Sequence, residues 1–203
     1  MTKKMTKREI ESQAKKKKIF EVSMELFKKY GFDKTTMSDI SRETGFSNGS
    51  IYHFYTNKQS ILIQLVLEIY EDAQKYLSLT DERLEHPKES IKKYYTKLIE
   101  LHDQYSVDII RNMAEACSEE YRLGMSRKYM DFSLFLIRDF LKAVQNKSKL
   151  VFSEDPEKLG EMLHLLYMGC LFTWIYYPIS TTLVEVFERN FNFLFNELLA
   201  KME

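Results

Sequence analysis

The stretch Met37–Lys58, MSDISRETGFSNGSIYHFYTNK, constrains the fold more than any other part of the chain. Two short helical segments are separated here by one glycine, Gly45. Helices this short must meet at a steep angle to bury anything against each other. The first offers an apolar anchor, Ile40, and then a small residue, Ser41, that lets the second approach closely. The turn needs a residue that accepts positive φ, and Gly45 does so without steric cost. Phe46, Ile51 and Phe54 then fall on the inward face. Apolar, small, glycine and three further apolars at these offsets form a helix-turn-helix pattern, whose second helix enters the major groove of DNA.

The rest of the chain reads as helix too. Only 6 Gly and 3 Pro occur, with no Pro before residue 87, and a sheet protein of this length would need many more turn residues. The expected fold is all-α, with about nine helices. Ile19, Val22, Leu26 and Tyr30 recur at helical spacing and predict a first helix over about Ser12–Tyr30, closed by Gly31. Thr36-Met-Ser-Asp39 resembles a capping box that opens the second helix. A third helix starts near Ser47, and a second box, Thr56-Asn-Lys-Gln59, opens a long fourth. Beyond His86-Pro87, helices are expected through Ile91–Ile99, 107–122 and 127–145. After a loop that runs to about Ser153, Asp155-Pro156 opens a helix to Tyr177, which Pro178 stops. Thr182-x-x-Glu185 starts the last. The expected division is a helix-turn-helix domain over 1–60, its tail 1–12 flexible, and a helical body over 61–203.

Charge is neutral overall but unevenly placed. Residues 1–58 carry 13 Lys and Arg against 7 Asp and Glu, while residues 59–203 carry 17 against 23. A basic module on an acidic body suits a polyanionic partner at one end, although chance asymmetry on solvated faces gives the same count. Cys117 and Cys170 stand far apart, which argues against a disulfide scaffold and fits a reducing, cytoplasmic setting. The charged N-terminus lacks the apolar core of a secretory signal. Met162–Ile179 is 18 residues without a formal charge, the length that flags a membrane span. Its tyrosines, His164 and acidic flanks favour a helix buried within a core or a subunit interface, with no membrane partner.

On the outward side of the third helix lie polar groups. Ser47, Asn48, Ser50 and His53 face away from the anchor positions, and Gly49 lets the backbone lie close to a surface. Amides at Asn48–Ser50 suit a phosphate, and Asn can pair in bidentate fashion with adenine. Two ordinary capped helices would show the same polar residues.

The run Gly45-Phe-Ser-Asn-Gly-Ser-Ile-Tyr-His-Phe-Tyr-Thr-Asn-Lys58, followed by Ile61-Leu62, resembles the signature of the tetracycline-repressor (TetR) family, roughly G-V-S-x-G-[ST]-[LI]-Y-x-[HY]-F-x-[SN]-K-x-x-L-[LI]. Phe27, Tyr30-Gly31-Phe32 and Thr35-Thr36-Met37-x-x-Ile40 are similar to that family's first helix and turn, so the likeness covers about residues 15–65. Phe46, Ser23, Ser41, Thr44 and the Phe54-Tyr55 pair depart from it mildly. The resemblance implies that Thr36 and Lys58 hold DNA phosphates, with Tyr52 adding its hydroxyl. It also implies that Ser38, Asn48, Ser50 and His53 face the groove, and that Arg42 reaches a flanking phosphate. Tyr52 is also needed for packing. Lys15–Lys18 and the tail before them add a salt-sensitive contribution or are simply solvated.

For the body, the resemblance implies a homodimer whose last two helices, about 157–177 and 182–200, form a four-helix interface. Leu159, Leu163, Leu166, Phe187, Phe191, Leu194 and Leu198 are its candidates, with Gly169 for close approach; the same residues can instead fill the chain's own core. Two reading helices about 34–36 Å apart then match a twofold operator. It further implies a small-molecule pocket between the middle helices, whose occupation releases DNA. Tyr94, Tyr95, Leu98, His102 and Met113 are possible lining, as are Cys117, Phe132, Phe135, Tyr167 and Trp174; such residues also make plain core. The lining favours an apolar or aromatic effector. No cofactor and no metal are expected, since His102, Cys117 and His164 lack ligand spacing. No nucleophile elbow, phosphate loop or H-E-x-x-H points to an enzyme. A DNA-binding regulator controlled by a protein partner at the acidic body, or a membrane-attached sensor, would share the N-terminal pattern.

Overall fold

The computed structural model describes residues 6–122, 130–148, 155–177 and 181–199. Among them the chain is all-α, with ten α-helices, one short 3-10 turn and no strand. Helix α1 (Lys7–Tyr30) begins five residues before the expected Ser12, so the tail read as flexible is helical from Lys7 on. The reason is a capping box that periodicity could not reveal. The Thr6 amide donates to Glu9 Oε2 at 2.7 Å, and the Glu9 amide returns to Thr6 Oγ1 at 3.3 Å. Helix α2 (Met37–Thr44) and α3 (Asn48–Phe54) follow at the expected places. Helix α4 (Lys58–Ala73) is capped by Asn57 and Ser60, one residue later than the Thr56–Gln59 box.

A 3-10 turn (Gln74–Leu77) and a short α5 (Asp81–Glu85) were not foreseen. With Leu84 as its one buried side chain, α5 carries too little apolar signal for a periodicity reading. Helix α6 (Pro87–Asp103) starts on its proline, and α7 (Val107–Arg122) and α8 (Met130–Ser148) follow. Asp155 caps α9 (Pro156–Tyr176) by accepting from the Glu157 amide at 2.7 Å. Thr182 and Glu185 form the box that opens α10 (Leu183–Leu199). Pro178, expected to stop α9, lies outside the described residues.

Helices α1, α2 and α3 gather around Ile19, Phe27, Ile40 and Ile51, all of them buried. From there α4 runs into the body and packs on α6 and α7. Helices α8, α9 and α10 close the other side, with α10 also against α6. Tyr94, Tyr95, Leu98, Phe140 and Tyr167 form the centre, with Tyr95 in ring contact with Phe187 and Phe191 at 6.3 and 5.4 Å.

That packing gives several of the interface candidates a place in the chain's own core. Leu159, Leu163, Phe187 and Phe191 are fully buried within this chain, because α9 and α10 turn these side chains onto α6 and α8. Leu166 is half-buried. Leu194 and Leu198 have side chains outside the described ones. Gly169 is exposed and has nothing within 4 Å of its Cβ position, whereas the close approach inside the chain is at Gly160, where a Cβ would meet Arg138 Cγ at 2.7 Å. What α9 leaves outside is Leu165 (68% exposed), Gly169, Phe172 (55%) and Tyr176, spaced as one helical stripe. No described helix is long and apolar enough to cross a membrane.

Candidate nucleic-acid interface

The turn between α2 and α3 is fixed by more than its glycine. Gly45 adopts φ 74° and ψ 10°, the left-handed region, and its amide closes on the Ser41 carbonyl. The Ser41 hydroxyl donates to the Phe46 carbonyl at 2.5 Å, and Thr44 Oγ1 accepts from the Phe46 amide at 3.3 Å while donating back to Ile40. Ser41 and Thr44, the mild departures from the family pattern, therefore stitch the turn by hydrogen bonds. Alanines at these positions would leave that to packing alone.

At the α2 N-terminus, Thr36 and Asp39 cap each other reciprocally at 3.1 and 3.0 Å. The Thr36 hydroxyl also donates to Asp39 Oδ2 at 2.6 Å, and Arg42 pairs with the other Asp39 oxygen at 2.6 Å. Hydrogen bonds from Thr36, then from Arg42, hold the Asp39 carboxyl below the ordinary carboxylate range. The hydroxyl of Thr36 and part of the Arg42 guanidinium are thus engaged within α2. The amides of Met37 and Ser38 are the ones the first turn leaves for an outside acceptor.

Lys58 is anchored as well. Its Nζ donates to the Phe32 carbonyl at 2.8 Å, lies 3.5 Å from the Asp33 carbonyl, and sits 4.4 Å from the centre of the Phe32 ring. An ammonium has three donors, so this clamp still leaves a hydrogen for a phosphate. Lys58, Thr36, Ser38 and Tyr52 all line one open cleft of about 390 Å³, together with Met37 and Asn57. The N-termini of α2 and α4 both border it, so two sets of unpaired amides face the same space. Asp33 stands on the rim.

Beside the cleft, Ser47, Asn48, Gly49 and His53 are exposed on α3 and Ser50 is half-buried. The Ser47 hydroxyl caps α3 by accepting from the Ser50 amide at 3.3 Å. Tyr52 is half exposed, and its neighbour His53 lies edge-on to Phe54 at 5.0 Å. Arg42, Ser47, Asn48, Gly49, Ser50 and His53 do not line the cleft itself.

The body holds a second feature. A cavity of about 120 Å³ is bounded by α4, α6, α7 and α9. Of the ten expected lining residues, His102, Met113 and Cys117 border it. Tyr94, Tyr95, Leu98, Tyr167 and Trp174 are buried among the core helices without bordering it, and the Phe132 side chain lies outside the described ones. Phe135 points outward at 53% exposure, which removes it from any internal wall. The α4 contribution, Val66, Ile69 and Tyr70, was missed; its apolar i, i+3, i+4 spacing was the available signal. Burial pushes the Tyr70 hydroxyl up to about 12, so it stays protonated at neutral pH.

Comparison with known proteins agrees with this geometry. Residues 19–65 match the model of the bacterial regulatory proteins of the tetR family. Over 84 residues the chain is 30% identical to the HTH-type transcriptional regulator YfiR of Bacillus subtilis, a match that covers 40% of each chain. A TetR-family transcriptional regulator of Pectobacterium atrosepticum shares the fold with a TM-score of 0.66 at 14% identity, over 96% of this chain and 97% of that one. FadR of Thermus thermophilus, a TetR-family repressor in complex with lauroyl-CoA, does so with a TM-score of 0.60 at 23% identity, over 88% and 92%. Residues 19–65, with their helix-turn-helix in α2 and α3, thus match the tetR-family model, and the described chain shares the fold of solved TetR-family regulators.

Proposed function

We propose that the protein is a repressor that binds a palindromic operator as a homodimer and is released by a small, largely apolar or aromatic molecule. The observation that carries the reading is the open cleft where the N-termini of α2 and α4 converge beside the exposed polar face of α3. A DNA phosphate seated there meets the amides of Met37 and Ser38, Lys58 Nζ and the Tyr52 hydroxyl. Ser38, Asn48, Ser50 and His53 then reach base edges, with Ser47, Gly49, Thr36 and Arg42 against the flanking backbone. Residues 1–60 serve as the reading module and 61–203 as the effector and dimer body. Working on DNA, the protein acts in the cytoplasm.

Helix α4 supports the link between effector and operator. It carries Lys58 at the cleft and Tyr70 at the cavity, twelve residues or about 18 Å apart along one rigid element. A ligand that wedges α4 from α7 or α9 moves the reading module as a lever. The exposed stripe of Leu165, Gly169, Phe172 and Tyr176 supplies the self-complementary surface a twofold dimer needs. That FadR is seen with lauroyl-CoA supports an effector within this fold.

The test is selection of genomic fragments by the purified protein, followed by a mobility shift on the selected site. A twofold-symmetric site bound with a steep salt dependence is expected, and Tyr52→Ala or Lys58→Ala weakens the shift. Unweakened specific binding by both variants would overturn the residue assignment.

A further inference from the structure

One polar group on the wall of the body cavity has its chemistry dictated by the fold. His102 on α6 is 2% exposed, and its Nδ1 lies 2.6 Å from the Leu98 carbonyl oxygen of the same helix. A carbonyl only accepts, so Nδ1 carries the proton in this contact. Burial drives the imidazole down to about 4, and the ring is neutral at pH 7. A neutral ring protonated at Nδ1 has a lone pair at Nε2. The ring borders the cavity, so this acceptor belongs to the cavity wall.

The remaining surface narrows the ligand further. Val66, Ile69, Leu171, Met113 and Met168 give an apolar, polarisable wall that suits an aromatic ring, with the uncharged or weakly polar groups of Tyr70, Cys117, Ser118 and His164 beside it. No Lys, Arg, Asp or Glu borders the cavity, so an ion entering it would lose its hydration without gaining a counter-charge. Its 120 Å³ compares with the roughly 150 Å³ of an engineered apolar cavity that takes up benzene. A long acyl chain or a coenzyme headgroup exceeds both that volume and that charge balance.

We propose that the effector is an uncharged, single-ring molecule bearing a hydroxyl group, which it donates to Nε2 of His102 while its ring rests against Met113 and Met168. This rests on the reading of the cavity as the effector site. An apolar ring alone suits the apolar walls but offers no donor to Nε2, and a carboxylate sets its own lone pairs against that of Nε2.

Calorimetric titration of the full-length protein at pH 7 with phenol, anisole, toluene and benzoate tests it. Phenol is expected to bind about tenfold more tightly than anisole or toluene, the worth of one buried hydrogen bond, and benzoate not to bind. Anisole keeps the ring and the oxygen but has no proton to donate. In His102→Phe the preference for phenol collapses while toluene binding persists. Ala114→Phe, which fills the cavity, weakens all the neutral probes. Equal binding of phenol and anisole to the unaltered protein overturns the donor assignment, as does benzoate binding as tightly as phenol; neither depends on a variant folding. If those probes still lose affinity in Ala114→Phe, the cavity stands as a ligand site without that assignment. Binding of none of the four at millimolar concentration, or binding indifferent to Ala114→Phe, overturns the proposal and the effector-site reading together.

Discussion

Replacing Lys58 with methionine separates the role its ammonium group plays within the fold from the one proposed for it on DNA. The first is internal: a hydrogen bond to the Phe32 carbonyl at 2.8 Å and a position 4.4 Å from the Phe32 ring centre. A hydrogen bond from a charged donor contributes about 1.5–3 kcal/mol when buried, and an exposed cation–π contact about 0.5–1 kcal/mol. Lys58 is half-buried, so water screens part of this, and a loss of about 1–2 kcal/mol follows. For a chain of this size that lowers the melting temperature by about 5 °C. The second role is external, one phosphate per subunit. Each neutralised phosphate adds about 0.9 to the slope of log K against log salt, so a dimer of Lys58→Met should lose about 2 from that slope. Lys58→Arg keeps the charge and should restore most of it. Differential scanning fluorimetry and operator titrations from 50 to 300 mM salt (roughly the range over which such slopes resolve) read the two roles independently. A lower melting temperature with an unchanged slope would show that Lys58 only clamps the turn, and the phosphate reading would be wrong. A lower slope with an unchanged melting temperature would refute the Phe32 clamp instead.

Three further outcomes follow from the same coordinates. Gly45 is in the left-handed region that asparagine tolerates, whereas Gly31 at φ 88° and ψ 153° occupies a region close to glycine-only. Gly45→Asn should therefore cost under about 1 kcal/mol and Gly31→Asn about 1–3 kcal/mol in urea unfolding, and equal costs would contradict the backbone argument. Phe172→Glu should shift the protein to monomer in sedimentation velocity, while Leu163→Ala should cost about 2–5 kcal/mol of stability with no selective effect on association; the reverse pattern would return the interface to the buried face. His102 gives a pH dependence. Its imidazole is held near 4 in the fold against about 6.5 when unfolded, so the unfolded chain takes up the proton first as pH falls. Stability present above pH 6.5 should drain away down to pH 4, by up to about 3 kcal/mol at about 1.4 kcal/mol per pH unit. His102→Gln should flatten that decline in chemical denaturation, and an unaltered decline would exclude His102 as its source.

The N-terminal module was legible because its signals are local. Thr36, Gly45 and Ser47 each act within four residues of themselves, so spacing alone placed α2, its turn and α3. The α1 start escaped because Thr6 and Glu9 form a box with no apolar run beside it. What Lys58 does was half legible: its charge and place were visible, but not its hold on Phe32, 26 residues away in sequence. The cavity was least legible. Tyr94, Tyr95, Tyr167 and Met113 are all large apolar-bodied residues at helical spacing, and nothing in that spacing tells a wall from a core. His102 stood among them undistinguished, and only the fold shows it buried with Nδ1 on the Leu98 carbonyl.

Helix α9 shows the same limit and also resolves the sequence's strangest feature. An uncharged run of 18 residues, Met162–Ile179, invites a membrane reading because a helix apolar on all sides needs an apolar solvent all round. In the fold that solvent comes from two sources. Leu163, Tyr167, Leu171 and Trp174 face α8, α10 and the core of the same chain. On the other side, Leu165, Gly169, Phe172 and Tyr176 stay exposed, with the Phe172 and Tyr176 rings 4.6 Å apart. Burying that second face against a copy of itself would stabilise the pair by about 1.5–3 kcal/mol per fully covered large side chain, without a lipid bilayer. Spacing could not separate the two sides, because both are apolar and only the packing of the neighbouring helices decides which one the chain keeps for itself.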